Sequence, residues 1–101
     1  MPITLQTQPG SLTAVLSGEI DHHGARAIMT QLEEAVARYL PKHLTLDLSG
    51  VTFMDSSGIA LLLRAHRNVS GFGGTLRVIR IPTQPRRVLD AAGVGRLIPL
   101  E

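Results

Sequence analysis

Leu44-Thr45-Leu46-Asp47-Leu48-Ser49-Gly50-Val51-Thr52-Phe53-Met54-Asp55-Ser56-Ser57-Gly58-Ile59-Ala60-Leu61-Leu62-Leu63 is the stretch whose reading decides the fold. Leu44, Leu46 and Leu48 alternate with Thr45, Asp47 and Ser49, which is the period of a strand. Gly50 is expected to break that strand, and residues 51–54 lead to Asp55-Ser56-Ser57-Gly58. From there Ile59, Leu62, Leu63 and His66 share one face, so a helix is predicted to run to Ser70 and stop at Gly71. Gly73-Gly74 then turns the chain into a strand over 75–81. A strand, a helix and a second strand in this order suit a right-handed crossover, which makes the two strands parallel.

Working outward, residues 12–17 alternate Leu12, Ala14 and Leu16 against Thr13, Val15 and Ser17, a strand. Residues 1–6 are its expected hairpin partner, turned at Pro9-Gly10. Residues 21–40 read as a helix, because Ala25, Ile28, Met29, Leu32, Ala35, Val36 and Tyr39 repeat at three and four. Asp21 suits its N-cap and Pro41 stops it. Residues 83–92 predict a third, shorter helix with Pro85 in its first turn and Gly93 at its end. Residues 94–99 predict a short last strand. The expected class is α/β: one domain over residues 1–101, a mixed sheet of four or five strands, and helices mainly on one face. The expected core is Leu12, Val15, Leu16, Ile28, Leu32, Val36, Leu46, Leu48, Leu62, Leu63, Val78 and Leu89. Leu100-Glu101 fits a native end and a cloning scar equally well.

Composition narrows the function. A chain of 101 residues that is 44% hydrophobic and 18% charged is a globular domain. Having no cysteine, it has no disulfide, thiolate metal site or cysteine nucleophile. No secretory signal follows Met1, and no apolar run reaches the ~20 residues of a membrane span, so the expected location is cytoplasmic, with no membrane partner. The net charge of +2 and a pI of 9.9 raise the question of nucleic acid. The arginines are scattered, however, and Tyr39, Phe53 and Phe72 are the only aromatics, too few for a base-stacking platform. No nucleic-acid partner is expected.

Asp55-Ser56-Ser57-Gly58 carries the chemistry. One reading is a helix cap, since Asp and Ser before a helix satisfy its free N–H groups. The other is modification: a phosphate on a serine at a helix start gains the helix dipole and N–H donors. Other chemistries fit less well. His22-His23 lacks the spacing of a metal site, and a polar cap loop or partner surface explains it better. Gly71-Phe72-Gly73-Gly74 lacks the Lys-Ser/Thr of a phosphate loop and precedes a strand. Ser57 as an acyl-transfer nucleophile has candidate bases in Asp21, His22 and His23, but Asp-Ser-Ser-Gly is not a nucleophile elbow. Neither an enzyme nor a cofactor is expected.

Gly18-Glu19-Ile20-Asp21-His22-His23 with Ala25, and Phe53-Met54-Asp55-Ser56-Ser57-Gly58-Ile59, closely resemble the sporulation-type anti-sigma factor antagonists of the STAS family. The resemblance runs from about Thr13 to Ile98 and takes in Arg87-Val88-Leu89-Asp90. It implies a STAS-like fold and phosphorylation at the second serine, Ser57. It also implies a partner cycle. The unphosphorylated protein binds an anti-sigma factor that is also a serine kinase and frees a sigma factor; phosphorylation releases it, and a serine phosphatase resets it. By matching positions, Asp21, His22, His23, Asp55, Ser56, Ser57, Gly58 and Ile59 form the partner surface. Sporulation-type members usually carry one more helix, whereas this chain stops at Glu101. A short C-terminus also fits the alternative, a STAS subunit that binds the ATPase of a phospholipid-transport complex. The double serine and Asp21-His22-His23 fit the antagonist better.

Overall fold

The alternating leucines of 44–48 lie in the middle of the sheet. The computed structural model describes residues 2–101; Met1, expected to open the first strand, lies outside them. In chain order the elements are β1 (Ile3–Gln8), β2 (Ser11–Ile20), α1 (His22–Tyr39), β3 (His43–Met54), α2 (Ser56–Ser70), β4 (Thr75–Ile79) and α3 (Thr83–Ala91). A 3₁₀ turn, Val94–Arg96, follows. The sheet order is β1-β2-β3-β4, with the first pair antiparallel and the others parallel. Gln8 pairs with Ser11, which leaves Pro9-Gly10 as a two-residue turn. Gly10 has φ of +77°, a conformation glycine adopts without a Cβ penalty.

One face of the sheet is apolar because the register aligns its leucines. Leu12 pairs with Leu44 and Ala14 with Leu46, while Leu44 and Leu46 meet Leu76 and Val78. All six are buried, and α1 and α2 cover them with Ile28, Leu32, Val36, Leu61, Leu62 and Ala65. Each fully buried leucine contributes about 2 kcal/mol. Ten of the twelve expected core residues are buried. The exceptions are Val15 and Leu63, both half-buried. Val15 pairs with Asp47 on the opposite, uncovered face, and Leu63 flanks the buried stripe of α2, which runs through Gly58, Leu61, Leu62, Ala65 and Val69. Tyr39 also leaves its expected stripe: it is exposed, with the Arg38 guanidinium 5.7 Å from its ring centre.

Gly50 does not end the strand. β3 runs through it for twelve residues. Val15 pairs with Asp47 but Ser17 with Gly50, and Gly18 pairs with Val51 but Glu19 with Phe53. Each step puts one extra residue in β3, a bulge that bends the strand and resets which side chains face inward. The buried positions accordingly shift from Leu44, Leu46 and Leu48 to Val51 and Met54. A Cβ on Gly50 would sit 2.9 Å from Ser17 Cβ, so the first bulge needs glycine. The expected last strand is likewise replaced. Residues 94–96 form the 3₁₀ turn, and Leu100 alone makes a parallel bridge to Val78, with the Glu101 N–H donating to the Val78 carbonyl at 2.8 Å.

On the uncovered face a buried carboxylate, Asp47, pairs with an exposed arginine, Arg80. Asp47 accepts from Arg80 Nη1 at 2.7 Å and from the Ser49 N–H at 2.9 Å. Arg80 has φ of +51°, a left-handed conformation that costs an arginine about 1–2 kcal/mol. Burial pushes the Asp47 carboxyl up, but the Ser49 hydrogen bonds and Arg80 together hold it below its ordinary value of 3.8. A lowered folded-state value gives stability that is present above pH 3.8 and lost as the pH falls through the folded value. Asp47→Asn is therefore expected to lower the urea midpoint at pH 7, and the gap from the native protein should narrow below pH 3.8. A gap that is constant from pH 7 to pH 2.5 (about the range a urea series can cover) would sink this account.

Candidate functional site

The two bulges bring two aspartates to the same end of the sheet. Ile20 pairs with Met54, and the Asp55 N–H donates to the Ile20 carbonyl at 3.3 Å. The chain then leaves both strands in the same way. Asp21 caps α1 by accepting from the Gly24 N–H at 2.8 Å. Asp55 caps α2 by accepting from the Ser57 N–H at 2.8 Å. Two helix N-termini thus lie at the carboxyl ends of adjacent parallel strands, where open α/β sheets present their sites.

The eight expected site residues all lie at this end, with different exposures. His22, His23 and Ser56 are exposed; Asp21, Asp55, Ser57 and Ile59 are half-buried; Gly58 is buried. The rings of His22 and His23 meet edge to face with centroids 6.0 Å apart. Gly58 faces inward, where a Cβ would meet Met54 Cγ at 2.4 Å. Ser57 gives its backbone N–H to Asp55, and its hydroxyl makes no hydrogen bond among the described residues. Capping is thus the work of Asp55, and the Ser57 hydroxyl takes no part in it.

Ser57 also lines a cleft of about 190 Å³ between α1 and α2, with His22, Ala25, Arg26, Met29, Ala60, Leu61 and Arg64. Arg26 and Arg64 figure in the sequence only as two of its scattered arginines. Their spacing was legible, four after His22 and seven after Ser57, but the meeting of the two helix faces was not.

Gln84 was also missed. It lies in the first turn of α3, thirty residues from Met54, and its amide grips that residue from both sides. Nε2 donates to the Met54 carbonyl at 2.8 Å, and Oε1 accepts from the Met54 N–H at 2.8 Å. The last residue of β3 is therefore held immediately before the Asp55 cap. Gln84→Ala leaves both part-buried groups unpaired and is expected to cost about 1–2 kcal/mol in urea unfolding. Faster amide exchange at Met54 should accompany it. Unchanged exchange there would show that Gln84 does not hold the strand end.

The family described as "Mlab, STAS domain" matches residues 3–99. This chain belongs to the STAS domain family. Its relatives there include the anti-sigma F factor antagonist of Paenibacillus polymyxa, 32% identical over 99% of this chain and 86% of the relative. A solved anti-sigma factor antagonist from Mycobacterium paratuberculosis is 28% identical, with a TM-score of 0.86 over 97% of this chain and 82% of that one. The Bacillus cell fate determinant SpoIIAA in its phosphorylated form shares the fold at 23% identity, with a TM-score of 0.74 over 98% and 90% of the two chains.

Proposed function

We propose that this chain is an anti-sigma factor antagonist: its unphosphorylated form binds an anti-sigma factor with serine kinase activity and frees a sigma factor, and phosphorylation of Ser57 releases the complex. The observation that carries the reading is the unbonded Ser57 hydroxyl at the start of α2, beside the Asp21-His22-His23 turn. The antagonist name of the Paenibacillus polymyxa relative supports it. Phosphate there gains the α2 dipole and adds about −1.5 to −2 of charge to the surface a partner would read. The reading takes residues 1–101 as one STAS domain that acts in the cytoplasm by binding and catalyses nothing. No helix among the described residues is long and apolar enough to cross a membrane. A serine phosphatase completes the cycle.

The test is a pull-down from the native host with Ser57→Ala and Ser57→Asp baits and mass spectrometry as readout. The captured protein is then incubated with ATP and the native chain. The expected result is a small ATP-binding serine kinase on the Ser57→Ala bait alone, and phosphate at residue 57 of the native chain. A transporter ATPase on both baits would replace this reading with the phospholipid-transport one.

A further inference from the structure

We infer that the cleft between α1 and α2 is an internal receptor for the Ser57 phosphate, with Arg26 and Arg64 as its cationic walls. The inference rests on Ser57 being the phosphorylated residue and adds where the phosphate goes. Ser57, His22, Arg26 and Arg64 line one cleft whose floor is Ala25, Met29, Ala60 and Leu61. Both helices start from the same end of the sheet, at Asp21 and Asp55.

Long side chains on a helix lean toward its N-terminus. By that tendency Arg26 leans toward the end where Ser57 sits, and Arg64, whose Nη2 is engaged by Glu33 at 3.1 Å, would lean there once released. Seven residues of α2 separate Ser57 from Arg64, about 10 Å along the axis, which a phosphate and a leaning arginine share between them. Arg26 is exposed, and its guanidinium has no ion pair among the described residues. Arg64 is held by Glu33 at 3.1 Å, with its side chain 56% exposed, a pair loose enough to exchange for a dianion.

The charged and titratable groups around the phosphate are then Asp55 in its own turn, Asp21 and His22 at the start of α1, His23 beside them, and Arg26, Arg64 and Glu33 along the cleft. The two aspartates oppose the dianion, and the two arginines favour it. Once filled, the cleft presents a neutralised rim to a partner in place of the unpaired Arg26 cation and the Arg64–Glu33 pair. Phosphorylation would thus change the rim by the phosphate's own charge, read there as a loss of free positive charge.

The experiment installs phosphoserine at position 57 during translation, so that no kinase is needed, and follows the phosphate by ³¹P NMR against pH. The ordinary second pKa of a phosphoserine is about 6. The Arg26→Ala/Arg64→Ala double variant is expected to titrate about one pH unit above the native protein, because it has lost two nearby cations. Arg26→Lys/Arg64→Lys should recover most of that shift. Superimposable circular-dichroism melts would establish that all three proteins are folded. Equal titration of the native and double-alanine proteins overturns the inference, as does a lysine variant that behaves like the alanine one. If no host kinase modifies Ser57, the switching cycle fails and this titration still reports on the receptor.

Discussion

Ser57→Asp is expected to weaken capture of the anti-sigma partner by about thirtyfold, close to 2 kcal/mol. Ser57→Ala should bind within about threefold of the native protein, on the same scale, and stay bound when ATP is added. The contrast follows from the division of labour at the start of α2. Asp55 Oδ1 takes the Ser57 N–H at 2.8 Å, so the cap depends on a backbone group that alanine and aspartate both keep. Neither substitution removes a side-chain hydrogen bond among the described residues. The difference between them is therefore a charge at a half-buried surface position. An interface that accepts a neutral hydroxyl there must desolvate that charge and face Asp55 and Asp21 beside it. Titration calorimetry with the isolated partner measures both variants. Equal affinities would remove the electrostatic part of the proposal.

Gly24→Ala should cost about 3 kcal/mol, near the top of the usual range for overpacking. For a domain of this size that lowers the melting temperature by about 15 °C. A Cβ on Gly24 would lie 2.1 Å from the Glu19 carbonyl oxygen. That oxygen belongs to the end of β2, which is paired with β3, so the first turn of α1 would have to lift away. Alanine gains about 1 kcal/mol of helix propensity over glycine, too little to offset the clash. Lifting the turn would also pull the Gly24 N–H from Asp21, so partner binding should fall together with stability. Gly58→Ala should cost less. Its Cβ meets the Met54 side chain, which can rotate, whereas Glu19 offers only backbone. A calorimetric melt separates the two variants, and a Gly24→Ala melting point within about 3 °C of the native one would contradict the packing argument.

How much was legible can be judged residue by residue. The leucines at 44, 46 and 48 and the stripe from Ala25 to Val36 announced their elements, because burial of one face imposes a period on the sequence. Pro9-Gly10 announced its turn, and Asp21 and Asp55 announced the caps they form. Those signals are local, since a hydrogen bond across three residues leaves its mark within three residues. The two motifs also marked the end of the sheet where the candidate site lies, and placed Ser57 at the start of α2.

Other features had no such mark. Gly50 looked like a break, and only the register with Ser17 makes it a bulge inside one strand. The Gln84 grip on Met54 spans thirty residues, and the Arg80–Asp47 pair spans thirty-three. The cleft that joins Ser57 to Arg26 and Arg64 exists only because two crossovers set α1 beside α2. The sequence by itself determined most of the elements, the Asp21 and Asp55 caps and the position of the phosphoacceptor candidate, all matters of local spacing. The tertiary structure decided which faces meet, where the strand shifts register and what surrounds the serine. Those depend on contacts between segments far apart in the chain, and no local pattern records them.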